Sequence, residues 1–293
     1  MKTERESGSD KDGYVIGIEI DKLCIKVSLF DSRLKPLEKV SFSADNVKNI
    51  GAKCADLIEE LIKKSGIKHD EMKGIGIGTG AIAASLAKKI ENKFNIRTFY
   101  AGTAVCAALG EIYLNPEADS AENILYIYSD LGACAVLKSR NLEILPQAVS
   151  GYLGPWDASF GITAIAKREV ERGVGTKIAA ACEGRIDRID DAAVLEAARR
   201  DDEVAVNIVH SVGVTLGVRI AYLVNLVGPQ AVIFGGGLEK AGGLLIEPIK
   251  NIIKKLALKS RSESLKIIPG KSGEDAASLG AASLAIREIS CNS

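Results

Sequence analysis

The chain has 293 residues, 47% of them hydrophobic, and its 38 Lys and Arg balance 38 Asp and Glu to a net charge of zero. That length and apolar content can bury a large core in two domains of ordinary size, and the balanced charge excludes a global pull toward nucleic acid or an anionic membrane. Six scattered cysteines (Cys24, Cys54, Cys106, Cys134, Cys182, Cys291) form no CxxC pair, which speaks for a reduced, cytosolic chain and against a zinc or disulfide framework.

Met1 to Gly13 is polar and charged and lacks an apolar centre, so a disordered tail is expected there rather than a signal peptide. Val15–Ile20, Ile25–Phe30 and Leu37–Phe42 then read as three strands, with Asp31-Ser32-Arg33 as turn chemistry. The same meander recurs from Asn123 to Val149: an apolar run, an acid at Asp130, a run from Ala133 to Leu137, a polar turn at 139–141, then Leu142 to Leu145. Two copies, each followed by helices, predict two similar α/β lobes with a cleft between them. In both copies acids fall at the turn after the first strand, facing that cleft.

Between the copies, Val47 to Lys64 keeps helical spacing and stops at Ser65-Gly66. Gly74 to Gly78 alternates Gly with Ile, a buried strand whose glycines let another backbone come close. A helix over Ala81–Lys93, a strand over Ile96–Tyr100 and an alanine-rich helix over Thr103–Tyr113 follow, and 115–120 reads as a linker. The first lobe is thus expected to span 14–120, and the second 121–273.

After the second copy, 150–161 is rich in glycine and holds the single Trp156, an irregular stretch. Helices are expected over Ile162–Glu171, Ala192–Arg200 and Glu203–Val227. The last is apolar enough to raise the question of a membrane, but Asn207, His210, Arg219 and Asn225 mark it as a buried core helix. Its Gly213 and Gly217 suit close packing against a neighbour, and Gly228-Pro229 ends it. A strand over Ala231–Phe234 runs into Gly235-Gly236-Gly237, followed by a helix over Leu244–Leu258, a strand over Leu265–Ile268 and a final helix over 274–289.

The order and wording of these segments resemble the ROK family, which groups bacterial sugar kinases with sugar-responsive repressors on the actin- and hexokinase-like fold. The pieces that carry the resemblance are IGIEIDKLCIKVSLFD, AVCAALGE (Ala104–Glu111), ILYIYSDLGACAVL, the long helix ending NLVGP, VIFGGGLEKAGG and DAASLGAASLA. It covers nearly all of Tyr14 to Arg287. The resemblance implies an α/β fold of two ribonuclease-H-like lobes, with the last helix crossing back to the first lobe.

The departures from the family pattern bear on function. The DIGGTK-like phosphate loop aligns with Glu19, Ile20, Asp21, Lys22, Leu23 and Cys24, so both glycines are gone. Such a loop needs glycine so that backbone N–H groups can approach phosphate oxygens. Asp21 brings a negative charge there instead, worth about 4 kcal/mol against one phosphate charge at ~4 Å and an effective dielectric of ~20. The second phosphate loop reads Asp130 to Cys134 and keeps only Gly132. The family's catalytic Asp falls at Thr103, between Gly102 and Ala104, and a threonine hydroxyl cannot take a proton near neutral pH as a carboxylate does. The GEIGH-like sugar motif aligns with Gly151 to Pro155, where Tyr152 stands and neither polar sugar ligand remains. The cysteine-rich zinc motif has only Cys182 nearby, so no zinc site is expected.

What survives is Gly235-Gly236-Gly237, the family's adenosine-side motif. It reads either as a backbone turn under a nucleotide base or as a tight strand-to-helix turn that needs glycine for backbone reasons alone. Glu19, Asp21 and Asp130 are candidate oxygen ligands for Mg²⁺ or solvated turn acids. His69 is expected at the surface, His210 in the core, and Trp156 as an anchor of its loop or a stacking surface for a sugar.

Two functions follow as expectations. One is a catalytically silent module that senses a small ligand, a sugar or nucleotide held by Gly102, Thr103, Tyr152, Gly132 and Gly235 to Gly237, or that binds a protein partner. The other is a Mg-ATP-dependent sugar kinase with Asp21 or Asp130 as a relocated base. Direct nucleic-acid binding is not expected, since only about a dozen polar residues precede Tyr14. Family resemblance implies a homo-oligomer, although no exposed apolar stripe is evident in the sequence.

Overall fold

The computed structural model of the chain describes residues 13–20, 24–43, 47, 49–79, 83–128, 134–138 and 161–291. The strands are β1 (Tyr14–Ile20), β2 (Cys24–Asp31), β3 (Pro36–Ser43), β4 (Met72–Gly78), β5 (Thr98–Ala101), β6 (Asn123–Tyr128), β7 (Cys134–Lys138), β8 (Ala231–Gly235) and β9 (Lys266–Pro269). The helices are α1 (Ile50–Ser65), α2 (Ala83–Phe94), α3 (Thr103–Leu114), the short α4 (Pro116–Asp119), α5 (Ile162–Glu171), α6 (Lys177–Ala181), α7 (Asp191–Arg199), α8 (Glu203–Val227), α9 (Gly243–Leu256), the short α10 (Lys259–Ser262) and α11 (Ala276–Cys291). They form two compact units, one running to Tyr113 and resuming at Asp275, the other from Leu114 to Glu274. This division falls just ahead of the 115–120 stretch, where Asn115 is buried and its side chain accepts from Glu117 N to start α4.

In the first unit the sheet order is β3-β2-β1-β4-β5, with β1/β2 and β2/β3 antiparallel and β1/β4 and β4/β5 parallel. Asp31 closes the β2–β3 hairpin, its carboxylate accepting from Arg33 N at 2.9 Å and Lys35 N at 2.8 Å. Period-two alternation decides the faces. Ile16, Ile18, Ile20, Ile25, Val27, Leu29, Ile75 and Ile77 are buried with Cys54, Leu57, Ile58 and Leu61 of α1 and Leu86 and Ile90 of α2. Helix α1 starts where Asn49 accepts from Ala52 N at 3.1 Å and ends where Gly66 N–H reaches Ile62 O.

The opposite face is built to take α11 at backbone distance. A Cβ on Gly17 of β1 would stand 1.8 Å from the Ser278 carbonyl oxygen, and one on Gly76 of β4 would stand 1.7 Å from that of Ala281. No side chain fits there. The reading of Gly74 to Gly78 as a strand that admits another backbone is thus met by this helix. Helix α3 crosses α11 equally closely, since a Cβ on Gly280 would lie 1.5 Å from the Cys106 carbonyl oxygen and one on Gly110 2.3 Å from that of Ala276.

The second unit repeats the strand plan as β7-β6-β8-β9, with β6/β7 antiparallel and β6/β8 and β8/β9 parallel. The expected third strand of its meander, Leu142–Leu145, lies outside the described residues. The core joins Leu125, Ile127, Val232 and Phe234 of the sheet to the buried side of α8 and to Leu245, Ile249 and Ile253 of α9. Gly213 and Gly217 admit α9, the first against Leu245 O and Pro248, the second against Ile249 and Ile252.

Helix α8 is long and apolar enough by composition to cross a membrane; here one side of it, from Ala205 and Val209 to Leu216, Ile220 and Val224, is buried in the unit's own core. His210 falls off that stripe and is exposed, a correction to its expected core position. Toward its end the helix also exposes Tyr222 and Leu226, apolar surface that the sequence did not reveal. Asn225 beside them ties the end of α8 to the chain beyond α9, accepting from Leu258 N at 2.7 Å and donating to Leu256 O at 3.3 Å.

Candidate functional site

Open α/β sheets place ligands at the carboxyl ends of their parallel strands. In the first unit those ends are Glu19 on β1, Gly78-Thr79 after β4, and Ala101-Gly102-Thr103 after β5. Glu19 pairs across β4 with Gly78 and across β2 with Lys26. Its side chain is 1% exposed, and Lys26 Nζ stands 3.4 Å from its Oε2. The carboxylate is therefore engaged by an ammonium of its own hairpin.

Cys106, in the first turns of α3, lies under Gly78: a Cβ on that glycine would meet Cys106 Cβ at 3.2 Å and Sγ at 3.3 Å. Burial, reinforced by the negative charge of Glu19, pushes the Cys106 thiol up to about 12. The thiol is a packed, protonated group and not a nucleophile.

Thr103 opens α3 and is 4% exposed, and its hydroxyl has no hydrogen-bond partner among the described residues. Gly102 before it accepts from Cys106 N at 2.9 Å through its carbonyl and brings no side chain to the helix start. A Cβ there would meet only Val105 Cγ2, at 3.9 Å, so packing does not require glycine at 102. The first turn of α3 carries no acidic residue.

In the second unit the glycine run follows β8. Tyr126 of β6 lies over Gly235, whose Cβ would meet the phenol oxygen at 1.9 Å. Gly236 and Gly237 take φ of +65° and +99°, backbone that favours glycine. The Gly237 N–H donates to Glu239 Oε2 at 2.9 Å. Packing and backbone geometry thus account for all three glycines, and a carboxylate occupies the N–H of Gly237. Of the two readings left open by the sequence, this geometry fits the tight strand-to-helix turn.

Cys182 lies in the apolar core of the second unit, its thiol near the Arg188 carbonyl at 3.6 Å. Around it the chain is tied by Asp202, which caps α8 through Ala205 N (2.9 Å) and also accepts from Thr176 Oγ1 (2.8 Å) and Lys177 N (2.7 Å). Burial alone would raise this carboxyl. The hydrogen bonds from Lys177, Ala205 and Thr176 outweigh it and hold the group below its ordinary value. Among the described residues no group of three His, Cys, Asp or Glu is placed to hold a metal ion.

The two candidate bases Asp21 and Asp130, together with Gly132, Tyr152 and Trp156, lie outside the described residues. The structure brings Glu19, Gly102 and Thr103 to one end of the first sheet and places Gly235 to Gly237 at the corresponding end of the second. Lys26, Cys106 and Glu239 were not singled out from the sequence. Only Lys26 carried a signal there, as a lone charge between Ile25 and Val27 in a strand otherwise apolar on both sides of it.

Comparison with known proteins sets these features in a family. The model described as the ROK family matches residues 165–288, and solved structures of that family share the whole architecture. Over those residues the chain resembles the ROK family. Among ROK-family structures, a glucokinase from Streptomyces griseus in complex with glucose and AMPPNP superposes with a TM-score of 0.78 at 19% identity, covering 94% of this chain and all of that one. In sequence, a glucokinase of Halalkalibacterium halodurans is 23% identical over 313 residues, covering 92% of this chain and 94% of its own. A xylose repressor of Caldicellulosiruptor bescii is 22% identical over 272 residues, covering 80% of this chain and 67% of the repressor. The α/β actin- and hexokinase-like fold is thereby established. Kinases and sugar-responsive repressors of the ROK family stand at similar distance from the chain.

ROK kinase relatives imply Mg-ATP as a cofactor. At the first strand end the buried acid is neutralised by Lys26, and at the glycine turn a carboxylate already accepts the Gly237 N–H. These described residues do not fit a metal-bound triphosphate.

Proposed function

We propose that this ROK-family protein is a catalytically silent sugar-kinase relative that senses a small ligand or docks a protein partner. The observation that carries the reading is Thr103, a buried hydroxyl without a hydrogen-bond partner among the described residues, at the position that the family pattern gives to the catalytic carboxylate. Phosphoryl transfer to a sugar needs a group that accepts the hydroxyl proton. The engagement of Glu19 by Lys26 and of the Gly237 N–H by Glu239 supports the same reading. Sugars are the ligand class to test first, because the relatives include glucokinases and a xylose repressor.

The test combines melting with a transfer assay. Glucose, xylose, Mg-ATP and their pairs are added to purified protein, and phosphate transfer is followed over hours. A ligand at about 100 times its dissociation constant adds about 2.7 kcal/mol, which moves the midpoint of a chain of this size by about 5–10 °C. The expected result is a shift with a sugar alone, none with Mg-ATP, and no sugar phosphate. Absence of any shift directs the search to a protein partner. A sugar phosphate formed in proportion to enzyme overturns the proposal in favour of a kinase that draws its base from elsewhere.

A further inference from the structure

The hairpin register sets Glu19 and Lys26 directly opposite each other on the face of the sheet that carries α3 and α11. The acid is enclosed, with 1% of its side chain exposed, whereas the lysine is 18% exposed and so stands on the solvent side of the pair. Lysine carries a compact point charge on a flexible stem. A divalent cation approaching the same carboxylate would meet that charge at a few ångströms with little solvent between, and like charges at such range repel strongly. Mg²⁺ also gives up its water reluctantly, and Lys26 occupies the side from which it would reach Glu19.

We infer that Lys26 is a built-in counter-ion that takes the place of a divalent cation at the end of β1, so that any ligand of this lobe binds without metal. The inference rests on the proposed silent function and specifies it: the first unit is tuned to ligands that bring no metal with them. Lys26 acts as a specificity-determining residue through Glu19. The lysine is delivered by strand pairing and not by a loop, so it is in place whenever the sheet is formed.

Manganese is the probe, because it substitutes for Mg²⁺ and broadens nearby nuclear resonances. In the full chain, titration with Mn²⁺ should leave the Gly78 amide, which pairs with Glu19 across the sheet, unbroadened. Broadening of that amide in the wild type, abolished in Glu19→Gln, overturns the inference. In Lys26→Met the same amide should broaden, with one more Mn²⁺ bound per chain than in the wild type, and the double variant Lys26→Met/Glu19→Gln should lose that increment. A folded Lys26→Met that binds no additional Mn²⁺ also overturns it. Should Lys26→Met fail to fold, the wild-type titration decides alone. Phosphate transfer by a wild type whose Gly78 amide stays sharp would sink the silent function and leave the counter-ion standing; a Glu19-dependent Mn²⁺ site without transfer would do the reverse.

Discussion

Gly280 and Cys106 meet backbone to backbone: any Cβ at position 280 would fall 1.5 Å from the Cys106 carbonyl oxygen. With Gly110 answering against Ala276 O, α3 and α11 touch through their backbones, and side-chain flexibility cannot relieve an added methyl there. Gly280→Ala should therefore cost at least about 3 kcal/mol, lowering the thermal midpoint by roughly 6–12 °C. Gly161→Ala, at a position where an added Cβ meets no described residue within 4 Å, is the control and should melt close to wild type. Equal midpoints for the two variants would contradict the crossing.

Asp202 makes a different kind of prediction, in pH. Its carboxyl is held below the ordinary value in the folded chain, so the stability it contributes is fully present above the unfolded value of about 4 and is lost as pH falls through the folded one. Asp202→Ala removes a helix cap and leaves Thr176 and the Lys177 amide unanswered, at a cost of about 2–3 kcal/mol near neutral pH. The gap between wild type and Asp202→Ala, measured by denaturant titration, should narrow as pH drops below about 4. A gap that is constant from pH 7 to pH 3 would show that the charge is not what holds the 176–205 region together.

The thiols should sort by burial. Cys54 and Cys106 are each pushed up to about 12, Cys54 by burial and Cys106 by burial with Glu19 beside it, and Cys291 is exposed. Because the thiolate is the reactive form, an alkylating reagent at pH 8 should label Cys291 within minutes while Cys54 and Cys106 react only on unfolding. Peptide mapping after timed quenching reads this directly, and early label on Cys106 would mean that the strand end near Glu19 is open to solvent.

At the glycine turn, Glu239→Ala removes the acceptor of the Gly237 N–H and should cost about 1 kcal/mol. If the turn is a backbone device, the variant gains no affinity for ADP and its midpoint is the same with and without millimolar nucleotide. A nucleotide-dependent rise in Glu239→Ala would identify the carboxylate as the group that excludes phosphate.

Much of the scaffold was legible because it follows from local periods and from glycine. Ile16, Ile18 and Ile20 announce one sheet face by alternation, Gly76 announces a close approach although not its partner, and Gly213 with Gly217 announces a helix contact. The site was less legible. Lys26 becomes the partner of Glu19 only once the hairpin register is known, and Tyr126 reaches Gly235 from another strand of the sheet. His210 was expected inside because α8 is apolar on most of its circumference, yet the buried stripe from Ala205 to Val224 passes it by. Charge pairs and side-chain orientation depend on strand register and on packing neighbours, which local propensity does not encode.

Helix α11 lies at backbone distance on β1, β4 and α3, all encoded in the first 114 residues, whereas the second unit is a single uninterrupted stretch. During synthesis the sheet of the first unit therefore waits, with the glycine face of β1 and β4 bare, until Ala276–Cys291 has left the ribosome. The second unit has all of its strands and helices available earlier. The first unit is thus completed after the second, and a premature stop anywhere before Ala276 would strand it without its final layer.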